Sequence, residues 1–114
     1  MKNSILILVF IIVCSCKKDK VEFYSNANCS DTVSFNDEIL PLIENKCSYC
    51  HNTLNGYSLT NHANISSNSA AIIGAMRNSG FKLMPRDSFN IGYALPDSVI
   101  QLVECWINQG KNNN

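Results

Sequence analysis

The chain has 114 residues, with nine basic side chains against nine acidic ones, and 46% of it is hydrophobic. Balanced charge gives no electrostatic footprint for a nucleic-acid partner. A chain this short holds one small domain, whose thin core calls for a staple, a metal or a cofactor.

The first residues, MKNSILILVFIIVCSC, place one lysine ahead of an unbroken apolar run over positions 5–13. That pattern is a secretion signal, and the run is too short for a membrane span, which needs roughly 20 residues. VCSC resembles a bacterial lipoprotein box. Small Ser15 precedes Cys16 whereas β-branched Val13 precedes Cys14, so Cys16 is taken as the lipidated N-terminus behind a signal peptide of residues 1–15. An uncleaved anchor, or cleavage elsewhere, is the bland alternative. Acylation at Cys16 would tether the protein to a bacterial envelope membrane, facing the periplasm, without spanning it. Lys17 gives no strong retention signal, so the placement leans towards the outer membrane.

Residues 16–32 are polar and without a clear period, a linker ahead of a folded domain over 33–111. Within that domain, VSFNDEILPLIENKCSYCH carries Phe35, Ile39, Leu42, Ile43 and Cys47 as a helical stripe. Ser34 or Asn36 can cap it, with Asp37 and Glu38 at the positive end of the helix dipole. Pro41 implies a kink, or a helix that begins there. NTLNGYSLTNHANISSN is polar and contains Gly56, which predicts an extended loop. SAAIIGAMRNSG predicts a short middle helix with Ile72, Ile73 and Met76 inward and Gly80 as its stop. FKLMPRDSFNIGYALP has two prolines and no helical period, hence another loop. PDSVIQLVECWINQG is the clearest helix, started by Pro96 and Asp97, ended by Gly110, with Val99, Ile100, Val103, Trp106 and Ile107 on one face. The expectation is an all-α domain of three to four helices with long loops. Such loops in so small a domain make sense if they pack around a large apolar cofactor.

Six cysteines in an exported chain demand an accounting. Cys14 leaves with the signal, Cys16 takes the lipid, and Cys47 and Cys50 belong to a C-x-x-C-H motif with His51. Cys29 and Cys105 remain, in a compartment that allows disulfides. They either bridge, closing the linker onto the last helix, or stay as a buried Cys105 beside an exposed Cys29.

C-x-x-C-H is the signature of covalent c-type haem attachment. On one helical turn Cys47, Cys50 and His51 project from a common face. The two thiols can then form thioethers with a haem c, and His51 can reach the iron as the proximal ligand. A thioredoxin-like pair would expect a preceding strand. A structural zinc site needs two further ligands, and Cys29, His62 and Cys105 occur singly and far apart. For the opposite axial position, Met84 stands in an irregular loop before stiffening Pro85, while Met76 fits a core filler on a helix face. His62 is the rival ligand, otherwise an ordinary loop histidine. Lys82 and Arg86 flank Met84, as contacts for a haem propionate or an acidic redox partner, or simply as solvated charges.

Taken together, SFNDEILPLIENKCSYCHN, GYSL, MPRD and LPDSVIQLVECWINQG resemble a small single-haem cytochrome c domain of the class I type, over about residues 34–110. The resemblance implies a cytochrome c fold with crossing N- and C-terminal helices and a haem crevice between loops. It implies attachment at Cys47 and Cys50, with His51 proximal and Met84 distal. The sequence departs from the family in lacking a placeable glycine at the helix crossing, and in its Cys29/Cys105 pair. The implied function is membrane-tethered electron carriage between redox proteins of the cell envelope, without catalysis of its own. The alternative is a ligand-sensing or accessory haem subunit of a larger envelope enzyme complex.

Overall fold

The computed structural model describes residues 29–53 and 57–114. The signal peptide, Cys16, most of the linker and Gly56 lie outside the described residues.

Ser34 opens the first helical segment. Its hydroxyl accepts the Asp37 N–H at 3.2 Å, and its own N–H donates to the Glu38 carboxylate at 2.8 Å. This reciprocal cap satisfies donors the first turn would otherwise leave orphaned. The turn that follows, Phe35–Ile39, is π-helical, with the N–H of Ile39 donating to Ser34 and that of Leu40 to Phe35, each five residues back. Helix α1, Leu40–Lys46, continues directly from it with Pro41 in its first turn. A regular α-turn here would drive the Pro41 ring against the Asp37 carbonyl and leave that carbonyl without a donor. The wide turn falls where that conflict would arise.

The polar stretch expected to be an extended loop instead contains α2, His62–Ser67. Asn61 caps it, its side-chain oxygen accepting the Asn64 N–H at 2.9 Å. Only Ile65 of its six residues is fully buried, so the stretch shows no apolar stripe. After Asn68 comes α3, Ser69–Met76, with Ile72, Ile73 and Met76 inward as expected. The chain leaves α3 through left-handed residues at Asn78 (φ 52°) and Gly80 (φ 72°). Helix α4, Asp97–Asn108, starts after Pro96 and is closed by Gly110 at φ 98°.

The architecture is therefore all-α among the described residues, with one isolated bridge between Arg86 and Gly92 as the sole β-type pairing. The π-turn packs on α4, α3 packs on α4, and α2 packs on α3. Phe35 of the π-turn meets Trp106 of α4 at 5.6 Å between ring centroids. Ile39, Ile43, Ile65, Ile73 and Val103 complete the fully buried set, each contributing about 2 kcal/mol of apolar burial.

Several devices tie residues 29–36 to the C-terminal end. Cys29 and Cys105 form a disulfide across 76 positions. The Gln109 side chain accepts the Val33 N–H at 2.9 Å and donates to the Asp31 carbonyl at 2.7 Å. Asn114 accepts the N–H of Phe35 through its side chain and that of Asn36 through its carbonyl, both at 2.9 Å. Among the described residues no helix is long and apolar enough to cross a membrane.

Candidate functional site

The C-x-x-C-H motif lies just past α1. Cys47 closes the helix with φ −128°, and its N–H donates to Ile43 at 2.8 Å. One further turn follows: the N–H groups of Cys50 and His51 both donate to the Cys47 carbonyl, at 3.1 and 2.9 Å. The motif thus occupies its own turn and is not the last turn of α1, but the three side chains still spring from one hydrogen-bonded turn of five consecutive residues. Ser48 braces that turn from outside, its hydroxyl 2.9 Å from the Leu59 carbonyl, and the Leu59 N–H donates to His51 at 2.8 Å. The long connection back to α2 is thereby sewn to the motif.

His51 is half-buried, with Nδ1 3.3 Å from the Tyr57 carbonyl. A carbonyl only accepts, so Nδ1 carries the proton in this contact and the lone pair sits on Nε2. Metal-binding histidines are held in this way, one ring nitrogen engaged and the other left for the metal.

Cys47 and Cys50 are not joined to each other. Burial, and secondarily Cys50, push the Cys47 thiol up to about 11. A redox C-x-x-C needs the opposite, a lowered thiol that attacks as thiolate, so the environment argues against disulfide shuttling. The zinc alternative loses its ligands: Cys29 and Cys105 are committed to each other. Among the described residues no group of three or more His, Cys, Asp or Glu gathers as a metal set. His62 is not a loop histidine. It begins α2, its ring meets Phe35 edge-on at 4.7 Å and Trp106 at 6.0 Å, and Nε2 lies 2.8 Å from the Lys111 carbonyl. That ring is a joint between the chain ends, which removes it as an axial candidate.

Met84 stands on a different segment and is half-buried, its N–H donating to Ala75 of α3 at 3.1 Å. The structure brings Cys47, Cys50 and His51 into one turn. Met84 is anchored separately, and among the described residues no hydrogen bond joins it to that turn. Pro85 opens an irregular hairpin in which Asp87 donates to Ile91 and Tyr93 to Pro85, both at 3.0 Å. Gly92 is required there, because a Cβ would sit 2.5 Å from the Leu83 carbonyl oxygen. The Asp87 carboxylate accepts the N–H groups of Phe89 and Ile91, each at 2.9 Å. Arg86 is half-buried within this hairpin, and Lys82 is exposed.

The exposed large apolar side chains among the described residues are Tyr49, Tyr57, Phe81, Phe89, Ile91 and Tyr93. All belong to the two long connections, none to a helix. Loops that present aromatic side chains while the helices bury theirs are suited to a bulky apolar ligand. The residues present fit a covalently held haem: two thiols three apart on one turn, an imidazole with Nε2 left over, a separately anchored thioether, and aromatic loops.

Sequence reasoning missed the Tyr57 carbonyl and the Ser48 brace, since backbone acceptors leave no trace in side-chain pattern. It also passed over Glu104, which is buried on α4 and accepts from Arg77 Nε and Nη2, both at 3.0 Å. No protein-family model matches this chain, and neither a curated protein nor a solved structure matches it.

Proposed function

We propose that the protein is a membrane-tethered c-type cytochrome that carries single electrons in a bacterial cell envelope. The observation that supports this most is the His51 ring: it follows Cys50 in the attachment turn and keeps Nε2 available while Nδ1 is engaged by Tyr57. When bound, a haem would supply one-electron chemistry at its iron. The chain's own part would be to hold it at Cys47 and Cys50, to offer His51 and Met84 as donors to the iron, and to cover it with aromatic loops. With His51 and Met84 both given to the iron, a substrate would find no open position, so carriage fits better than catalysis. The neutral thioether of Met84 favours a higher potential than a second imidazole would.

The direct test is Met84→Ala in the haem-loaded protein. The near-infrared sulfur-to-iron charge-transfer band of the oxidised form should vanish, and carbon monoxide should then bind the reduced form readily. Survival of the band would remove Met84 from the iron. Strong carbon monoxide binding by the unaltered protein would favour a ligand-sensing role instead.

A further inference from the structure

Gly74 stands inside α3, between Ile73 and Ala75, and is buried. A glycine there weakens a helix, so its presence calls for a packing reason. The reason is Phe81. A Cβ on Gly74 would lie 2.5 Å from Phe81 Cδ2 and 2.9 Å from Cε2. One edge of the ring therefore rests on bare helix backbone, while 52% of the residue stays exposed. A side chain at position 74 would lift the ring away.

The chain after α3 is tied back to it at the same turn. The last carbonyls of a helix have no partner within it. Here the Gly74 carbonyl accepts the Ser79 N–H at 2.7 Å, and the Ala75 carbonyl accepts the Met84 N–H at 3.1 Å. Residues 80–83 thus form a short loop with both ends fixed to adjacent carbonyls, and Phe81 presses that loop onto the helix. From the other side Gly92 of the hairpin closes on Leu83, where a Cβ would lie 3.0 Å from the Leu83 Cβ. The segment that carries Met84 is gripped by α3 through Phe81 and by the hairpin through Leu83.

We propose that Phe81, seated on Gly74, is a positioning residue for Met84: it latches the thioether in place, and releasing it frees the position that Met84 fills for a small diatomic ligand. This rests on the reading of Met84 as a donor to the haem iron. The latch acts through the backbone of residues 81–84, and it sets the balance between electron carriage and ligand binding.

The experiment compares the haem-loaded full chain with Phe81→Ala, Gly74→Ala and the double variant. Each is read by the sulfur-to-iron charge-transfer band of the oxidised form, the carbon monoxide affinity of the reduced form and exchange of the Met84 N–H. Phe81→Ala removes a half-exposed side chain that is not part of the buried core. The burial it loses should raise the released fraction of Met84, and with it the apparent carbon monoxide affinity, roughly tenfold. The band should weaken and the Met84 N–H should exchange faster, while the amides of α4 keep their protection. Gly74→Ala should act in the same direction, although alanine for glycine ordinarily strengthens a helix. In the double variant the ring that the new methyl strikes is gone, so the two changes should not add. An unchanged band and unchanged carbon monoxide affinity in Phe81→Ala overturn the proposal. So does a Gly74→Ala effect that persists in full on the Phe81→Ala background, since it would then run through the Ser79 carbonyl, 3.0 Å from the added methyl. A charge-transfer band missing from the unaltered haem protein is a separate failure, which removes Met84 from the iron and the proposal with it.

Discussion

Cys47 and Cys50 are neighbours in a turn but differ in surroundings, and the difference has chemical consequences. A thiol at about 11 where 9.0 is ordinary carries about a hundredfold less thiolate at pH 8. In the haem-free protein, alkylation at pH 8 should therefore label exposed Cys50 well before Cys47, as mass spectrometry of the peptides would show. Equal labelling would contradict the burial of Cys47. The folded thiol keeps its proton to higher pH than the unfolded one, so its contribution to stability is complete below pH 9 and fades as pH climbs towards 11. The other residue of consequence is Glu104, buried and, among the described residues, paired with Arg77. Arg77 also reaches Asp97 at the start of α4, so it fastens the end of α3 to two turns of α4. Arg77→Ala should cost about 3 kcal/mol in chemical denaturation, the low end for leaving one member of a buried pair alone. A loss below about 1 kcal/mol would mean the pair behaves as a surface ion pair. Cys47, Cys50 and His51 stand out in the sequence because the proposed haem attachment would fix their types and spacing. The Tyr57 carbonyl does not, since any residue could have supplied it.

Elements with a stripe and punctuation were equally legible. Helix α4 has both, with Pro96 and Asp97 at one end, Gly110 at the other, and five apolar positions on one face. Helix α2 has neither: one buried isoleucine in six residues leaves no periodicity, and its only signal is Asn61, one asparagine among many in that stretch. Such a helix depends heavily on its cap. Asn61→Ala should cost about 1 kcal/mol and speed amide exchange over 62–67 ahead of the rest of the domain. Uniform exchange across the domain would show that α2 is held by packing alone. The N-terminal segment carries one helical stripe with a difficulty at Pro41. The difficulty is met by a π-turn, a backbone adjustment that side-chain pattern cannot specify. The Cys29–Cys105 link adds a constraint of another kind. It closes a loop of 76 positions, for which chain entropy gives about 4 kcal/mol. Cys29→Ser should lower the denaturation midpoint accordingly, by more than loss of either Gln109 contact alone.

At the scale of the molecule, helices and loops divide the work. The π-turn and α4 meet at Phe35 and Trp106, and that contact is reinforced by His62, Gln109, Asn114 and the disulfide. The C-x-x-C-H turn, Met84 and Arg86 stand on the connections, together with the exposed aromatic side chains among the described residues. Packing of helices follows from periodicity and was readable. The course of the 77–96 connection was not, because it is set by backbone pairs, a left-handed Asn90 and a glycine pressed on Leu83. If exposed Lys82 steers an acidic partner, electron-transfer rates should fall as salt rises from low ionic strength to about 0.15 M, where the screening length is about 8 Å. A flat dependence would assign Lys82 to solvent.

Covalent haem at Cys47 and Cys50 is tested most directly by the pyridine haemochrome spectrum of denatured protein, produced in an exporting host with c-type maturation. One haem per chain should remain attached through denaturation and acid–organic extraction. It should become extractable or be lost in the Cys47→Ser, Cys50→Ser double variant. Exported protein that retains both thiols and no haem would contradict the account.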